Sequence, residues 1–61
     1  MNTIKSLDIC NKTLKLTEIQ GKYSVMVQVG EEIEKITPVS DLKTAMDLFE
    51  KSEMALYRNF N

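Results

Sequence analysis

The chain has 61 residues, a net charge of −1, one cysteine and no histidine. This length predicts one small domain spanning residues 1–61, and a lone cysteine excludes an intramolecular disulfide. The near-neutral charge argues against a general electrostatic grip on nucleic acid. The N-terminal residues lack the apolar core of a signal peptide, and no apolar run approaches the roughly 20 residues of a membrane span. We therefore expect a cytoplasmic protein with no membrane partner.

The first two candidate strands are residues 4–9 and 13–19. In the first, Ile4 breaks the alternation of Leu7 and Ile9. Residues 4–9 therefore form either a strand of the sheet or a free arm that pairs with a second subunit. In the second, Leu14 and Leu16 share one side of the strand, and Ile19 breaks the alternation, as at a bulge or strand end. Between them, Asn11 predicts a turn because asparagine tolerates the left-handed conformation. Cys10 is interpreted as a small apolar filler.

The third strand, residues 22–29, has the clearest pattern in the chain. Gln20-Gly21 precedes it and Gly30-Glu31 follows it, both typical of tight turns because glycine adopts positive φ. Side chains alternate between the two faces of a strand, so one parity of this segment is buried and the other is wet. The buried parity consists of Tyr23, Val25, Val27 and Val29.

A fourth strand is predicted over residues 32–37. Ile33 and Ile36 differ in parity, which indicates a twisted or bulged edge strand, and the neighbouring charges discourage further strand pairing. Pro38 is expected to end the strand because proline has no N–H to donate to a ladder.

A helix is predicted over residues 41–57, with Ser40 as its N-cap. An apolar stripe at helical spacing faces the sheet, and Glu53 falls near its middle, so we expect Glu53 at the rim of the sheet or paired with a lysine. The fold class is therefore α+β, an antiparallel three- or four-stranded β-meander followed by one C-terminal helix on one sheet face. The predicted core is Leu14, Leu16, Tyr23, Val25, Val27, Val29, Ile33, Leu42, Ala45, Met46, Phe49 and Leu56.

Catalytic and metal-binding motifs are missing from the sequence. Without histidine, the Ser-His and Cys-His pairs and imidazole ligands are excluded, and no phosphate-binding glycine motif occurs. The acidic group Glu31, Glu32 and Glu34 matches no EF-hand spacing and is interpreted as a solvated edge. Asp47 and Glu50 lie on the outer helix face with no cleft implied. We therefore expect no enzyme activity, no cofactor and no metal site.

Protein binding is the favoured function. A small regulator, adaptor or inhibitor of a larger protein is predicted, with a homodimer as a further expectation. The size and economy of the chain resemble the short single-domain proteins of phages and mobile elements, many of which inhibit or adapt a larger host protein. The candidate contact residues are apolar side chains outside the expected core: Met26, Leu48, Met54, Tyr57 and Phe60.

The alternative is a small nucleic-acid-binding protein. Lys15 and Lys22 share the predicted wet face of the sheet, where small sheets present platforms to bases. The only aromatic residue of the strands, Tyr23, has the buried parity. Nucleic acid is therefore the less favoured partner.

Overall fold

The protein is a four-stranded antiparallel sheet with one helix packed on one face. The computed structural model describes the backbone of residues 2–59 and the side chains of residues 2–58. The strands are β1 (Asn2–Ile9), β2 (Lys12–Ile19), β3 (Lys22–Val29) and β4 (Glu32–Val39), and the helix is α1 (Leu42–Asn59). The strands lie in the order β1-β2-β3-β4, so each pairs with its neighbour in the sequence. The predicted fold class is confirmed, with four strands.

The first segment is a strand and not a free arm. Leu7 lies opposite Leu14 and Ile9 opposite Lys12, in regular antiparallel register. The register shifts between Thr3 and Lys5, so Ile4 is an extra residue in β1. This bulge explains why Ile4 breaks the alternation of the strand.

The register assigns a face to each residue of the two central strands. Leu14 lies opposite Val27 and Leu16 opposite Val25, and these side chains face the helix. Ile19 lies opposite Lys22 at the very end of both strands, without a register shift. Ile19 therefore breaks the predicted pattern because it belongs to the opposite face, and not because of a bulge.

Each hairpin is closed by a two-residue turn, as predicted for the second and third; the first was predicted over residues 10–12 and is one residue shorter, because β2 begins at Lys12. Gln20, Gly21 and Gly30 have φ values of 51°, 79° and 62°. In the first turn the left-handed residue is Cys10, with φ 57°, and not Asn11. Cys10 is also exposed, so its interpretation as an apolar filler is wrong.

The outer strand β4 is bulged, as its mixed parity predicts. The register shifts where Ile33 and Lys35 pair with successive residues of β3, which leaves Glu34 as the extra residue. Pro38 does not end the strand, because β4 continues to Val39. Proline is tolerated at this position because the strand lies at the edge of the sheet, where a missing N–H costs no ladder bond.

The helix begins one residue later than predicted and its cap is Asp41, not Ser40. Oδ2 of Asp41 accepts hydrogen bonds from the backbone N–H of Thr44 and from its hydroxyl, both at 3.0 Å. The backbone oxygen of Asp41 accepts the first helical bond from the N–H of Ala45 at 3.1 Å. An aspartate in this position satisfies donors that have no partner inside the helix.

The core lies between the helix and the sheet. Six predicted core residues are buried there: Leu14, Leu16, Val25, Ala45, Phe49 and Leu56. Tyr23 and Val27 are half-buried against this cluster. Ile9, which was not predicted, is only 2% exposed and completes it.

Three residues predicted to be in the core are exposed. Ile33 is 56% exposed because the bulge in β4 turns it to the face that the helix does not cover. Leu42 and Met46 are 44% and 41% exposed because they lie on a flank of the helix. The sheet buries a narrower arc of the helix than the width of the apolar stripe suggests.

Within residues 2–59, no helix has the length and apolar character needed to cross a bilayer.

Candidate functional site

The candidate site is the sheet face turned away from α1, here called the open face. No described element covers it. Every second residue of β2 and β3 lies on this face, in the cross-strand pairs Thr13–Gln28, Lys15–Met26, Thr17–Ser24 and Ile19–Lys22. From the outer strands it carries Ser6 and Asp8 on β1, and Ile33, Ile36 and Pro38 on β4.

Three isoleucines give the open face its apolar character. Ile19, Ile33 and Ile36 are 52%, 56% and 53% exposed. Ile36 lies opposite Met26, and Ile33 lies opposite Gln28. Large apolar side chains that share one uncovered surface mark an interaction site more often than scattered ones do.

The open face is a shallow trough and not a flat surface. Thr17 and Met26 are only 2% and 8% exposed, although no helix covers them. They form its floor, and Ile33 and Ile36 stand on the β4 side with Thr3 on the β1 side. A floor packed in this way is ordered before any ligand arrives, which lowers the entropy cost of binding.

The charges of the open face balance. Lys15 and Lys22 lie on it together with two acids, Asp8 of β1 and Glu31 of the β3–β4 turn. Oδ1 of Asp8 accepts a hydrogen bond from the Thr13 hydroxyl at 2.9 Å. A face without net charge attracts neither sign strongly, so its apolar side chains determine which surface it fits.

The two lysines of the nucleic-acid alternative share the open face but are not adjacent. Lys15 is half-buried and Lys22 exposed. Four positions separate Lys15 from Ile19, the partner of Lys22, which is about 13 Å at roughly 3.3 Å per strand residue. Among residues 2–58, no aromatic side chain lies between them, because Tyr23 faces the helix side.

The predicted contact residues do not form one surface. Met26 lies on the open face but is nearly covered. Leu48, Met54 and Tyr57 lie on α1, on the other side of the sheet. Leu48 is half-buried against the core, whereas Met54 and Tyr57 are 56% and 49% exposed. Phe60 lies outside the described residues.

Acidic residues near the β3–β4 turn point in different directions. Glu34 forms an ion pair with Lys12 at 3.1 Å, and Glu31 lines the trough. Among the residues that the structure describes, no three His, Cys, Asp or Glu side chains are grouped to hold a metal ion. Glu53 is half-buried and has no ion-pair partner within the described chain, so the predicted pairing with a lysine is not found there.

Within the part of the chain that the structure describes, two carboxyl groups have shifted pKa values, and both serve the fold. The backbone N–H of Gly21, at 2.8 Å, and the side-chain amide of Asn2, at 3.2 Å, lower the pKa of Glu18. The backbone N–H and the hydroxyl of Thr44 lower the pKa of Asp41. Both groups are therefore ionised at neutral pH, the opposite of what a general acid needs.

A second depression adjoins the trough at one end of the sheet. It lies between the β2–β3 turn and the end of β4 and is lined by Tyr23, Pro38 and Val39, among others. Ile19 borders both depressions. The apolar surface therefore continues from the open face around this end of the sheet.

Comparisons with known proteins found no matching family model, no matching curated protein and no matching solved structure.

Sequence reasoning missed the isoleucines of the open face, although a signal for them was present. Strand pairing places Ile19 and Ile36 on the face of Ser24 and Met26, and the departure of each from the alternation of its own strand was interpreted as local irregularity. Considered together, they indicate a second apolar surface.

Proposed function

We propose that this protein is a non-catalytic protein-binding module that acts as a small regulator, adaptor or inhibitor of a larger protein in the cytoplasm. The observation that supports the proposal is the open face, where Ile19, Ile33 and Ile36 are each more than half exposed around an ordered floor. Burial of these side chains against a partner would contribute about 25 cal/mol of favourable free energy for each Å² of apolar surface removed from water.

The chemistry of the open face suggests the kind of partner. Its charges balance and its β4 side is apolar, so a neutral apolar segment of another protein fits it better than a strongly charged surface. The trough is concave, which suits the apolar side of an amphipathic helix lying along it. Binding there would occlude or bridge the partner's surface without chemistry.

Absence of catalysis is part of the same proposal. The sequence has no histidine. The two carboxyl groups with shifted pKa values stabilise a turn and a helix start, as described above. The trough is open to solvent along its length, whereas catalysis depends on a site that excludes water.

The experiment is an affinity pull-down with the tagged protein from a lysate of its own cells, with and without nuclease. Ile36→Lys places a charge on the apolar β4 side of the open face and should abolish capture of the partner. Met54→Lys makes the same change on the exposed outer side of α1 and should leave capture unchanged. Circular dichroism should show that both variants fold.

Other outcomes have defined meanings. Loss of the partner with Met54→Lys but not with Ile36→Lys would move the binding surface to the helix, where Leu48, Met54 and Tyr57 were predicted to make contact. Capture that disappears with nuclease would support the nucleic-acid alternative. In that case Lys15→Glu with Lys22→Glu should weaken binding, and affinity should fall steeply with salt.

A further inference from the structure

The two outer strands of the sheet differ in how well they resist pairing with another strand. β4 carries Pro38, a bulge at Glu34 and two further charges, Glu32 and Lys35. Each of these features blocks an edge. β1 also carries charges, at Lys5 and Asp8, and a bulge at Ile4, but it has no proline and its register is regular from Lys5 to Ile9. That stretch makes β1 the less blocked edge of the sheet.

The ladder pattern shows which groups of β1 are free. Ile9 lies opposite Lys12 beside the two-residue turn, so this pair exchanges both hydrogen bonds, and the next hydrogen-bonded residues are Leu7 and Lys5. The residues between them, Ser6 and Asp8, therefore direct their N–H and C=O groups outward. A strand placed beside β1 finds these groups aligned for antiparallel pairing.

The helix has an apolar flank on the same side of the molecule. At 100° per residue, Leu42, Met46 and Tyr57 fall within one arc next to Phe49, and Leu48 falls on the other side. The Nζ atom of Lys5 on β1 lies 4.9 Å from the centre of the Phe49 ring, so this arc faces the β1 side. Its three side chains are 41–49% exposed.

We propose that a second copy of this chain pairs with β1, joining the two sheets into one of eight strands. A two-fold axis makes β1 pair antiparallel with itself, so the Lys5 end of one copy lies beside the Ile9 end of the other. On the face of the sheet that α1 covers, the helix ends above Ile9. It begins at the opposite end of the sheet, and Leu56 near its C-terminus belongs to the same core cluster as Ile9.

Charge complementarity favours this second copy over another partner. Lys5 of the second copy lies over Phe49 of its own chain in the monomer, and in the dimer its flexible side chain arrives beside Leu7 and Ile9 and turns to the flank that carries Glu53 and Tyr57. A carboxylate and an aromatic ring are both favourable neighbours for an ammonium group. The same contact forms twice, once on each side of the axis. The open faces remain uncovered and adjoin each other across the dimer.

The test is made on the purified protein alone, so its result does not depend on the proposed function. Sedimentation equilibrium across a concentration series should show a dimer. Ser6→Pro removes an N–H that points outward, so β1 should stay paired with β2. The dimer dissociation constant should rise at least about tenfold, because one hydrogen bond is lost on each side of the two-fold axis. Ser6→Ala changes the same side chain, keeps the N–H and should remain dimeric.

A measurement on the unchanged chain guards against a Ser6→Pro variant that fails to fold. Amide hydrogen exchange should be slow at Ser6 and Asp8 under dimeric conditions and fast after dilution. A monomer at every concentration would overturn the proposal. So would a dimer in which folded Ser6→Pro associates as tightly as Ser6→Ala, or in which these two amides exchange fast.

Discussion

At the scale of single residues, the hairpin turns contain side chains in unfavourable backbone conformations. Cys10 and Gln20 both adopt positive φ, at 57° and 51°. This region is easy for glycine and costly for other residues because Cβ approaches the following carbonyl oxygen. The turn positions were predictable from the sequence, but the residue that takes the strained conformation was not.

Replacing Cys10 with glycine should therefore stabilise the protein. Relief of the left-handed strain, less the greater chain entropy of glycine, leaves a gain of roughly 0.5–1 kcal/mol in the free energy of unfolding. Urea unfolding followed by circular dichroism measures it. Asn11→Gly is the matched control in the same turn, and since Asn11 does not have positive φ, it should bring no gain. Equal effects of the two changes would contradict this account.

At the scale of elements, the start of α1 depends on one carboxylate. Asp41→Ala should lower Tm by roughly 5 °C, because two donors of Thr44 lose their acceptor. Ser40→Ala should change Tm much less, although the sequence favoured Ser40 as the cap. Thermal unfolding of the two variants decides between them. A larger effect at Ser40 would contradict the observed cap.

The same cap should make stability dependent on pH in the acid range. The pKa of Asp41 is lowered in the folded protein from an ordinary value of 3.8, so the folded state favours the ionised form. Its contribution is complete above that value and is lost as the pH falls through the lower, folded pKa. Asp41→Asn retains a capping oxygen but does not titrate. The free energy of unfolding of this variant should therefore vary less between pH 5 and pH 2 than that of the unchanged chain.

At the scale of the whole molecule, one face of the sheet holds the core and stability is concentrated there. Phe49 is 1% exposed in its centre, and its neighbour on the helix, Met46, is 41% exposed. Phe49→Ala should cost about 3–5 kcal/mol, comparable to the roughly 3–9 kcal/mol expected for a domain of this length. The variant should be largely unfolded by circular dichroism. At a concentration where the protein is monomeric, Met46→Ala should remain folded and lose less than about 1 kcal/mol.

The contrast between these two residues tests the corrected core. Both lie on the predicted apolar stripe of α1, and the sequence placed both in the core. If Met46→Ala were as destabilising as Phe49→Ala, the flank of the helix would be buried in solution. A second copy covering that flank would be one cause, and the equilibrium mass of the protein would reveal it.

The sequence by itself determined the strands, the helix and their order, because alternation over two residues and periodicity over 3.6 residues are local properties of the chain. It also determined most of the core, from Leu14 to Leu56, since those residues follow the regular pattern. Only the tertiary structure decided where Ile4, Ile19, Ile33 and Ile36 lie. Each of them sits at a bulge, at a strand end or on an edge strand, where its face depends on pairing with another strand. The open face and the free edge of β1 arise from that pairing, which couples distant positions, so within one strand these residues show only as departures from the alternation and their shared face cannot be read from it.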